Sequence, residues 1–408
     1  MTFTRKVADL VPIVDTVFAV AELAKADAQK IGAENVVNAT IGSLFDEKGE
    51  LVAYKSVFDH YNQIANTTKA KYAASFVGND SYREQVYQWV SQGANLNLYH
   101  RVIATPGGSG AVSMTFANIL DAGETVILPN IAWGSYKLMA MQNNFEVTTY
   151  SLFEEDHFNL TSFKSVCSEV LNKQKKLLIV INDPCHNPTG YSMTRKEWDE
   201  VITFLNECSE IGPVVLIDDI AYIDYAYDIP QSRKVMESFN NISNNVLISV
   251  AFSCSKTCTS YGLRCGAALL LSKTEGGVRE VEIVFEKYAR AIWSNIPNAA
   301  MDNFTWVTTD NYFSFLSEKQ DYIDLLKQRS DVFLDEAKKV SLPVYPYHEG
   351  FFVTVKCKDN TERDEIHQRL INHHIYTVKV NLGIRVAICS LSVNKTKGLA
   401  TAIKMLME

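Results

Sequence analysis

The sequence predicts an α/β fold in which a mostly parallel sheet lies between helices, followed by a smaller α+β domain. From about residue 83, short apolar runs alternate with longer runs at helical spacing, which is typical of βαβ units. After about residue 325 the composition changes to a charged helix and a few β-like segments. The length of 408 residues also exceeds one small domain, since roughly 150 residues per domain is usual.

The large unit is predicted from the periodicity of its apolar residues. Helical spacing predicts a first helix over Asp15–Lys30, and the tripeptide EKG after it marks a turn. The predicted strands are Val102–Thr105, Thr125–Leu128, Glu146–Tyr150, Leu177–Ile181, Val214–Asp218, Val246–Ala251 and Ala267–Ser272. Helices between them are predicted over Ala111–Leu120, Tyr136–Gln142 and Arg195–Cys208. No room for a helix precedes Ala267–Ser272, which favours an antiparallel orientation for that strand.

The C-terminal part has its own pattern of elements. A charged helix is predicted over Asp321–Val340, followed by the β-like segment FFVTVK, another helix and a closing strand around Ile384–Ile388. No repeat, low-complexity tract or Pro-, Gly- or Ser-rich linker separates this part from the rest. We therefore predict a packed second domain over residues 326–408, after a large domain over residues 49–325.

Composition excludes several classes of function. The 47 acidic and 39 basic residues give a net charge of −8, which provides neither a footprint for nucleic acid nor a polybasic membrane anchor. No stretch approaches the ~18 apolar residues that a spanning helix needs. The eight cysteines form no CxxC pair, as expected for free thiols in a reducing compartment. We expect a cytoplasmic protein that binds neither nucleic acid nor membranes.

Unusual residues follow the predicted strands, where ligands of open α/β sheets bind. The first strand is followed by the glycine-rich segment Pro106–Gly110 and then by a helix, an arrangement that presents backbone amides to a phosphate. Such turns are common, and an ordinary structural turn explains this one equally well. After Leu177–Ile181, the string NDPCHNPTG contains two prolines and a glycine, so it predicts a rigid loop that holds Asn187.

Two further strand ends have titratable residues. Asp219 ends a buried strand and requires a partner, because an unpaired buried carboxylate is costly; a cationic ring nitrogen would serve. Ser253, Lys256 and Arg264 follow the next strand. Hydroxyls and an arginine suit a phosphate, and the lysine between them is a candidate Schiff-base nucleophile. A single lysine on a polar loop is more often solvated surface, so the proposal depends on the whole set.

Together these residues require one ligand with a phosphate, a basic ring nitrogen and an aldehyde, and pyridoxal 5′-phosphate has all three. Three motifs carry a family resemblance: HNPTG at 186–190, D-x-A-Y at 219–222 and S-x-S-K-x7-R-x-G at 253–266. With them the chain resembles the fold-type-I pyridoxal-phosphate aminotransferases of class I/II, most of all their aspartate and aromatic amino-acid branch. The similarity extends from about Asp15 to near Ile388. It implies a seven-stranded, mostly parallel sheet and a small domain built from both chain ends, which residues 1–48 would join.

The resemblance assigns roles to the residues around the cofactor ring. Lys256 matches the lysine that binds the cofactor as a Schiff base and then carries a proton at the substrate Cα. Asp219 matches the acid that pairs with the protonated ring nitrogen. Tyr222 and Asn187 match hydrogen-bond partners of the ring hydroxyl, and Asn187 is also expected to contact the substrate. Trp133 falls where the family stacks an aromatic side chain on the ring, although an ordinary core tryptophan also fits its position.

A second group is expected to hold the cofactor phosphate. Gly107 departs from the family, because many relatives have a serine at this position. We therefore expect one side-chain hydroxyl that would contact the phosphate to be missing here. Tyr72, in KYAASFVG, resembles a tyrosine that reaches the phosphate of the neighbouring subunit. The matching residues within the subunit are Gly108, Ser109, Ser253 and Arg264.

Two arginines are expected to set the substrate. Arg385, in GIRVAICS, matches the arginine that binds the substrate α-carboxylate, and Gly42 matches a glycine whose loop closes over the same group. Arg290 stands three residues before WSN, as does the arginine that reaches across the dimer to the distal carboxylate of a dicarboxylic substrate. The double proline of the family is Ile296-Pro297 here, so we expect the loop to take a different direction. A surface helix residue is the alternative for Arg290.

The resemblance implies a homodimeric aminotransferase with a ping-pong mechanism. Its donor would be aspartate, glutamate or an aromatic amino acid, and its acceptor a 2-oxo acid such as 2-oxoglutarate. A C–S lyase or a decarboxylase on the same fold is the alternative within enzymes. A non-catalytic sensor is disfavoured, because such regulators have a helix-turn-helix module for which we expect no room before Asp15. We expect no metal, since the nearby thiols and His186 lack tetrahedral ligand spacing; these thiols belong to Cys185, Cys254, Cys258 and Cys265.

Overall fold

The computed structural model describes residues 3–4, 10–12 and 16–408. Within this part of the chain, the largest sheet has seven strands, labelled here β1 to β7 in chain order. They are Tyr99–Thr105, Thr125–Pro129, Glu146–Tyr150, Leu177–Ile181, Val214–Asp219, Val246–Ser253 and Gly266–Ser272. The α-helices are Thr16–Ile31, Lys55–Gln63, Asn66–Ala70, Asp80–Val90, Gly107–Ile119, Ser135–Gln142, Leu160–Gln174, Arg195–Ser209, Ile229–Lys234, Cys254–Thr257, Glu275–Ile292, Asn298–Thr308, Tyr312–Lys339, Asn360–Asn372, Val393–Thr396 and Leu399–Met407.

The order of strands in the large sheet is β1-β7-β6-β5-β4-β2-β3. Strands β3, β2, β4, β5 and β6 pair in parallel. Strand β7 pairs antiparallel with both β1 and β6. The seven-stranded, mostly parallel sheet that the resemblance implies, with its antiparallel strand, is therefore confirmed.

Both faces of the sheet are covered by helices, so its central strands are apolar at nearly every position. In β4, Leu177, Ile179 and Ile181 point into one buried cluster, whereas Leu178 and Val180 point into the cluster on the opposite face. This alternation follows from the two-residue period of a strand. A continuous apolar run such as LLIVI is consequently read correctly as a buried strand.

A smaller antiparallel sheet has its own core near the C-terminus. The long helix Tyr312–Lys339 belongs to both cores, with Phe315 in the core of the large sheet and Phe333 in that of the small one. Val37–Asn38 pairs in parallel with Ile375–Tyr376, and on this pairing we propose that the described residues 16–48 join the small domain, whereas much of the predicted segment before residue 16 lies outside the described residues. The strands of the small sheet, in spatial order, are Phe352–Lys356, Gly383–Ala387 and Val378–Val380.

Two helices begin earlier than periodicity predicts. The helix predicted from Ala111 begins at Gly107, because the glycine-rich first turn packs against neighbouring strand ends despite its weak helix propensity. The helix predicted from Asp321 begins at Tyr312. The aromatic residues near Tyr312 have a propensity for strands, but this part of the chain is helical and its Phe315 is fully buried. Asp15 lies outside the described residues. No described helix combines the length and the apolar character that crossing a membrane requires.

Candidate active site

The register of the sheet brings two of the predicted motifs side by side. Gly266, at the start of β7, pairs with Thr105 at the end of β1 and with Ser253 at the end of β6. A Cβ on Gly266 would lie 2.6 Å from the carbonyl carbon of Gly107, so only glycine permits this approach. The loops that follow β1 and β6 therefore meet at one edge of the sheet.

A cavity of about 280 Å³ opens at this edge, a size that suits a small cofactor. Most of the predicted site residues line it. They are Gly108, Ser109, Trp133, Asn187, Asp219, Tyr222, Ser253, Lys256 and Arg264.

One end of the cavity is rich in donors for an anion. The helix Gly107–Ile119 begins there, and its first amides present the positive end of the helix. Arg264 donates to Ser255 Oγ at 3.1 Å and to the carbonyl of Pro106 at 3.3 Å. A Cβ on Gly108 would lie 3.2 Å from the Cβ of Ser253, so the segments that contain these two residues are in close contact. Amides, hydroxyls and a guanidinium are the groups that bind a phosphate.

Lys256 lies on the short helix Cys254–Thr257 that follows β6. Its Nζ lies 4.7 Å from the centre of the Tyr261 ring and 5.6 Å from that of the Tyr222 ring. Part of the side chain faces the cavity, and the remainder is enclosed by protein. The rings of Tyr222 and Tyr261 therefore limit the positions that the amine can take.

Burial lowers the pKa of Lys256 to about 8, because the charged ammonium loses its hydration. Cys389 and Asp219 oppose this change, whereas the positive charges of Arg264 and Arg385 reinforce it. A lysine that loses its proton near neutral pH suits a nucleophile and a proton carrier.

Asp219 ends β5 and lines the cavity. Its Oδ2 accepts from the hydroxyl of Tyr136 at 2.6 Å, and its Oδ1 accepts from the amide of Ala221 at 3.1 Å. Burial raises the pKa of the Asp219 carboxyl above its usual value. These two hydrogen bonds and the positive charge of Lys256 offset part of this rise. A carboxylate with this little solvent is best satisfied by a cation in the cavity.

Arg385 and Gly42 are not among the residues that line the cavity in the described part of the chain, but Arg385 contacts Asn187, which lines it. Arg385 donates to Asn187 Oδ1 at 3.2 Å and to the carbonyl of Thr40 at 2.8 Å. Its guanidinium carbon lies 4.3 Å from the centre of the Phe352 ring. A Cβ on Gly42 would lie 2.9 Å from Phe352 Cζ, so the Gly42 segment lies beside the same ring.

Two further predicted residues lie away from the cavity of their own chain and have no described contact with its lining residues. Tyr72 is 84% exposed, after the short helix Asn66–Ala70. Arg290 is exposed near the end of the helix Glu275–Ile292, where its guanidinium lies 4.8 Å from the centre of the Phe76 ring and donates to Ser294 Oγ. Neither residue is among those that line the cavity in the described part of the chain.

The structure adds site residues that the sequence did not indicate. Tyr136 is the third residue after Trp133, and Tyr261 lies between Lys256 and Arg264 in the motif at 253–266. Both are ordinary core residue types, and only the fold shows that they face the cavity. Asn182, Ser255 and Ser43 also line it.

Pyridoxal phosphate fits the residues of this cavity. Donors for a phosphate lie at one end, and a buried carboxylate lies where a ring cation would be neutralised. A lysine with a lowered pKa lies where an aldehyde would react. The neighbouring thiols of Cys254, Cys258 and Cys265 are all buried, and within the described residues no group of histidine, cysteine and acidic side chains has the arrangement of a metal site.

Comparison with known proteins agrees with this chemistry. The family model for aminotransferase class I and II matches residues 34–403. An aminotransferase from Anaerococcus prevotii has a solved structure that superposes with a TM-score of 0.96 at 34% identity, over 99% of each chain. The structure of an aromatic-amino-acid aminotransferase from Burkholderia pseudomallei, covalently bound to pyridoxal phosphate, has a TM-score of 0.79 at 19% identity over 100% of each chain.

A relative found by sequence comparison aligns over a shorter part of the chain. The histidinol-phosphate aminotransferase of Sulfurisphaera tokodaii is 30% identical over 152 residues, which are 37% of this chain and 40% of that protein. The chain thus covers less than two thirds of that relative's length. The family match nevertheless spans most of the chain. The chain therefore belongs to the aminotransferase class I and II family, whose enzymes depend on pyridoxal phosphate.

Proposed function

We propose that this protein catalyses transfer of an amino group between an L-amino acid and a 2-oxo acid, in two half-reactions that share one site. One observation carries the proposal: Lys256, Asp219 and the donors around Arg264 line a single cavity. Asp219 is the last residue of β5, Lys256 follows β6, and Arg264 precedes β7. Each has an ordinary structural explanation by itself, but their convergence has none that is equally simple.

The chain's own residues supply acid–base chemistry and electrostatics. When bound, pyridoxal phosphate supplies a ring that withdraws the electrons left at the substrate Cα. Lys256 would take the proton from that carbon and deliver it to the cofactor carbon C4′, because at pH 7 about a tenth of its amine is neutral if its pKa is about 8. An ordinary lysine would have fewer than about one neutral amine in a thousand at this pH.

The polar residues around Lys256 hold the reacting groups in place. Asp219 provides the negative charge that keeps a ring nitrogen protonated, and Tyr136 fixes one of its oxygens at 2.6 Å. The Tyr222 ring packs edge-on against Phe352 at 5.5 Å, which directs its hydroxyl towards the cavity that Asn187 also lines. Trp133 supplies an aromatic face, held by an edge-on contact with Tyr136 at 5.4 Å.

We propose that the donor is aspartate, glutamate or an aromatic amino acid. The planar guanidinium of Arg385 suits the α-carboxylate, and its two hydrogen bonds fix its orientation beside the Gly42 segment. Arg290 would bind the distal carboxylate of a dicarboxylic substrate, which makes 2-oxoglutarate a suitable acceptor. Since Arg290 does not line the cavity of its own chain, this role requires a second subunit.

The same reasoning favours a homodimer. Tyr72 is exposed together with several apolar side chains on neighbouring segments, among them Phe76 and Ile292, which are 38% and 63% exposed. A second copy covering these side chains would also bring Tyr72 and Arg290 towards its own cavity. We also propose a cytoplasmic location, which the eight free, buried thiols support.

The test is an assay of the purified protein with pyridoxal phosphate, 2-oxoglutarate and single amino acids. We expect one 2-oxo acid and one glutamate per turnover with at least one donor, and no product from Lys256→Ala. Without an acceptor, release of pyruvate and ammonia from a cysteine conjugate would identify a C–S lyase instead. Release of CO₂ from the donor would identify a decarboxylase. Near-normal turnover by Lys256→Ala would contradict the proposal.

A further inference from the structure

A buried charge cluster adjoins the segment that holds Lys256, and its three charged residues are not among those that line the cavity in the described part of the chain. Asp224 is 1% exposed, and the side chains of Arg233 and Lys319 are fully buried beside it. Arg233 donates to Asp224 Oδ1 at 2.6 Å, and the ammonium of Lys319 lies 3.5 Å from the same oxygen. The two cations lower the pKa of Asp224 despite its burial, so the group is a carboxylate.

The second oxygen of Asp224 is directed at the segment that holds Lys256. Oδ2 accepts from Trp89 Nε1 at 3.0 Å and from the hydroxyl of Thr257 at 2.6 Å. Thr257 is the residue directly after Lys256 and the last of the helix Cys254–Thr257. The adjacent Tyr225 donates to the carbonyl of Lys256 itself at 3.0 Å.

These contacts matter because the helix is too short to hold itself. A helix of four residues has little stability of its own, so tertiary contacts fix its orientation. The lysine side chain has four rotatable bonds, and the position of its amine depends on where its backbone is anchored. A displacement of about 1 Å in a reacting group can cost about a hundredfold in rate.

We propose that Asp224 and Tyr225 are positioning residues for Lys256: the carboxylate held between Arg233 and Lys319 fixes Thr257, and the Tyr225 hydroxyl fixes the Lys256 carbonyl. Neither residue lines the cavity in the described part of the chain, so both act through the short helix. The hydroxyl of Tyr225 is itself held by Tyr54 at 3.0 Å. This inference rests on the proposed function of Lys256.

The test compares Thr257→Val, which removes the hydroxyl at nearly constant shape, with Thr257→Ser, which retains it. Ser238→Ala is a matched control, because the buried Ser238 also donates to a carboxylate oxygen, that of Asp199, at 2.6 Å. Each protein is mixed with pyridoxal phosphate, the lysine adduct is reduced with borohydride, and the modified Lys256 peptide is quantified against time. The kcat and KM for the amino acid donor and the melting temperature are measured in parallel.

We expect Thr257→Val to slow adduct formation and kcat by about tenfold to a hundredfold while KM changes less than about threefold. Thr257→Ser is expected to restore both rates to within about threefold, and Ser238→Ala to leave them unchanged. Rates for Thr257→Val within about twofold of wild type, with only its melting temperature lowered, would overturn the proposal.

Two further outcomes are distinguishable. If Thr257→Val does not fold, Tyr225→Phe removes the other hydrogen bond to the same helix while retaining the ring that packs against Phe351 at 4.5 Å. We expect the same fall in both rates, and normal rates in a folded Tyr225→Phe would contradict the proposal. If the wild type itself forms no adduct at Lys256, the proposed function fails rather than the positioning role.

Discussion

The guanidinium of Arg385 donates a hydrogen bond of 3.2 Å to the side-chain oxygen of Asn187, although the two residues are 198 positions apart. Arg385 lies on the middle strand of the small sheet, whereas Asn187 follows β4 of the large sheet. A second bond joins Arg385 to the carbonyl of Thr40 at 2.8 Å. One side chain thus connects three distant segments at the edge of the cavity.

Arg385→Lys is expected to weaken substrate binding more than it slows chemistry. An ammonium cannot keep both hydrogen bonds and also present a planar pair of donors to a carboxylate. We expect KM for the amino acid to rise about tenfold or more, with a smaller fall in kcat. Steady-state kinetics with a single donor checks this, with Arg363→Lys on the outer helix Asn360–Asn372 as control. An unchanged KM would show that Arg385 does not bind the substrate.

The pKa of Lys256 gives a pH prediction with a definite sign. Burial lowers this pKa from 10.5 to about 8, and the neutral amine is the reactive form. The rate of adduct formation with pyridoxal phosphate should therefore rise with pH and level off above about pH 8. Borohydride trapping at a series of pH values measures it. A rate that continues to rise towards pH 10.5 would show an ordinary, solvated lysine.

The local geometry accounts for the glycine at position 107, where many relatives have a serine. Gly107 has φ +72°, and a Cβ there would lie 2.7 Å from Arg264 Nη2. Gly107→Ala is expected to lower affinity for pyridoxal phosphate about tenfold, because Arg264 must move. Gly123→Ala is a matched control, since Gly123 has φ +89° but no atom within 4 Å of the added Cβ. Equal affinity in both variants would show that the contact with Arg264 has no effect on binding.

Arg290→Ala tests the distal carboxylate. If Arg290 of one subunit reaches the cavity of the other, its loss should lower kcat/KM for aspartate and for 2-oxoglutarate by about tenfold or more. Aromatic and aliphatic donors, which have no second carboxylate, should change by less than about twofold. An equal loss for all substrates would place Arg290 outside the pocket and leave the substrate class open.

The sequence predicted the sheet and most of the cavity because the two depend on local signals. A buried strand such as LLIVI reads clearly, and the residue after it lies at the carboxyl edge of the sheet wherever the strand is placed. Lys256, Asp219 and Asn187 were found in this way. The start of the helix at Gly107 was missed, because its glycines give no helical signal and its first turn is held by contacts from distant segments.

Other features depend on contacts that no local pattern reveals. Tyr136 reaches Asp219 only because β5 and the first turn of the helix Ser135–Gln142 adjoin in the fold. The cluster around Asp224 joins residues as far apart as Trp89 and Lys319. The roles of Tyr72 and Arg290 require a second subunit, so neither one sequence nor one chain decides them. Those roles remain predictions.

The most direct test of the central claim is an absorbance spectrum of the purified protein with pyridoxal phosphate, before and after adding aspartate, glutamate, tyrosine or alanine. The account predicts a visible band that depends on Lys256 and that at least one of these amino acids converts to a near-ultraviolet band. Lys256→Ala should lack the visible band under the same conditions. The absence of a visible band in the wild type, even with excess cofactor, would contradict the account.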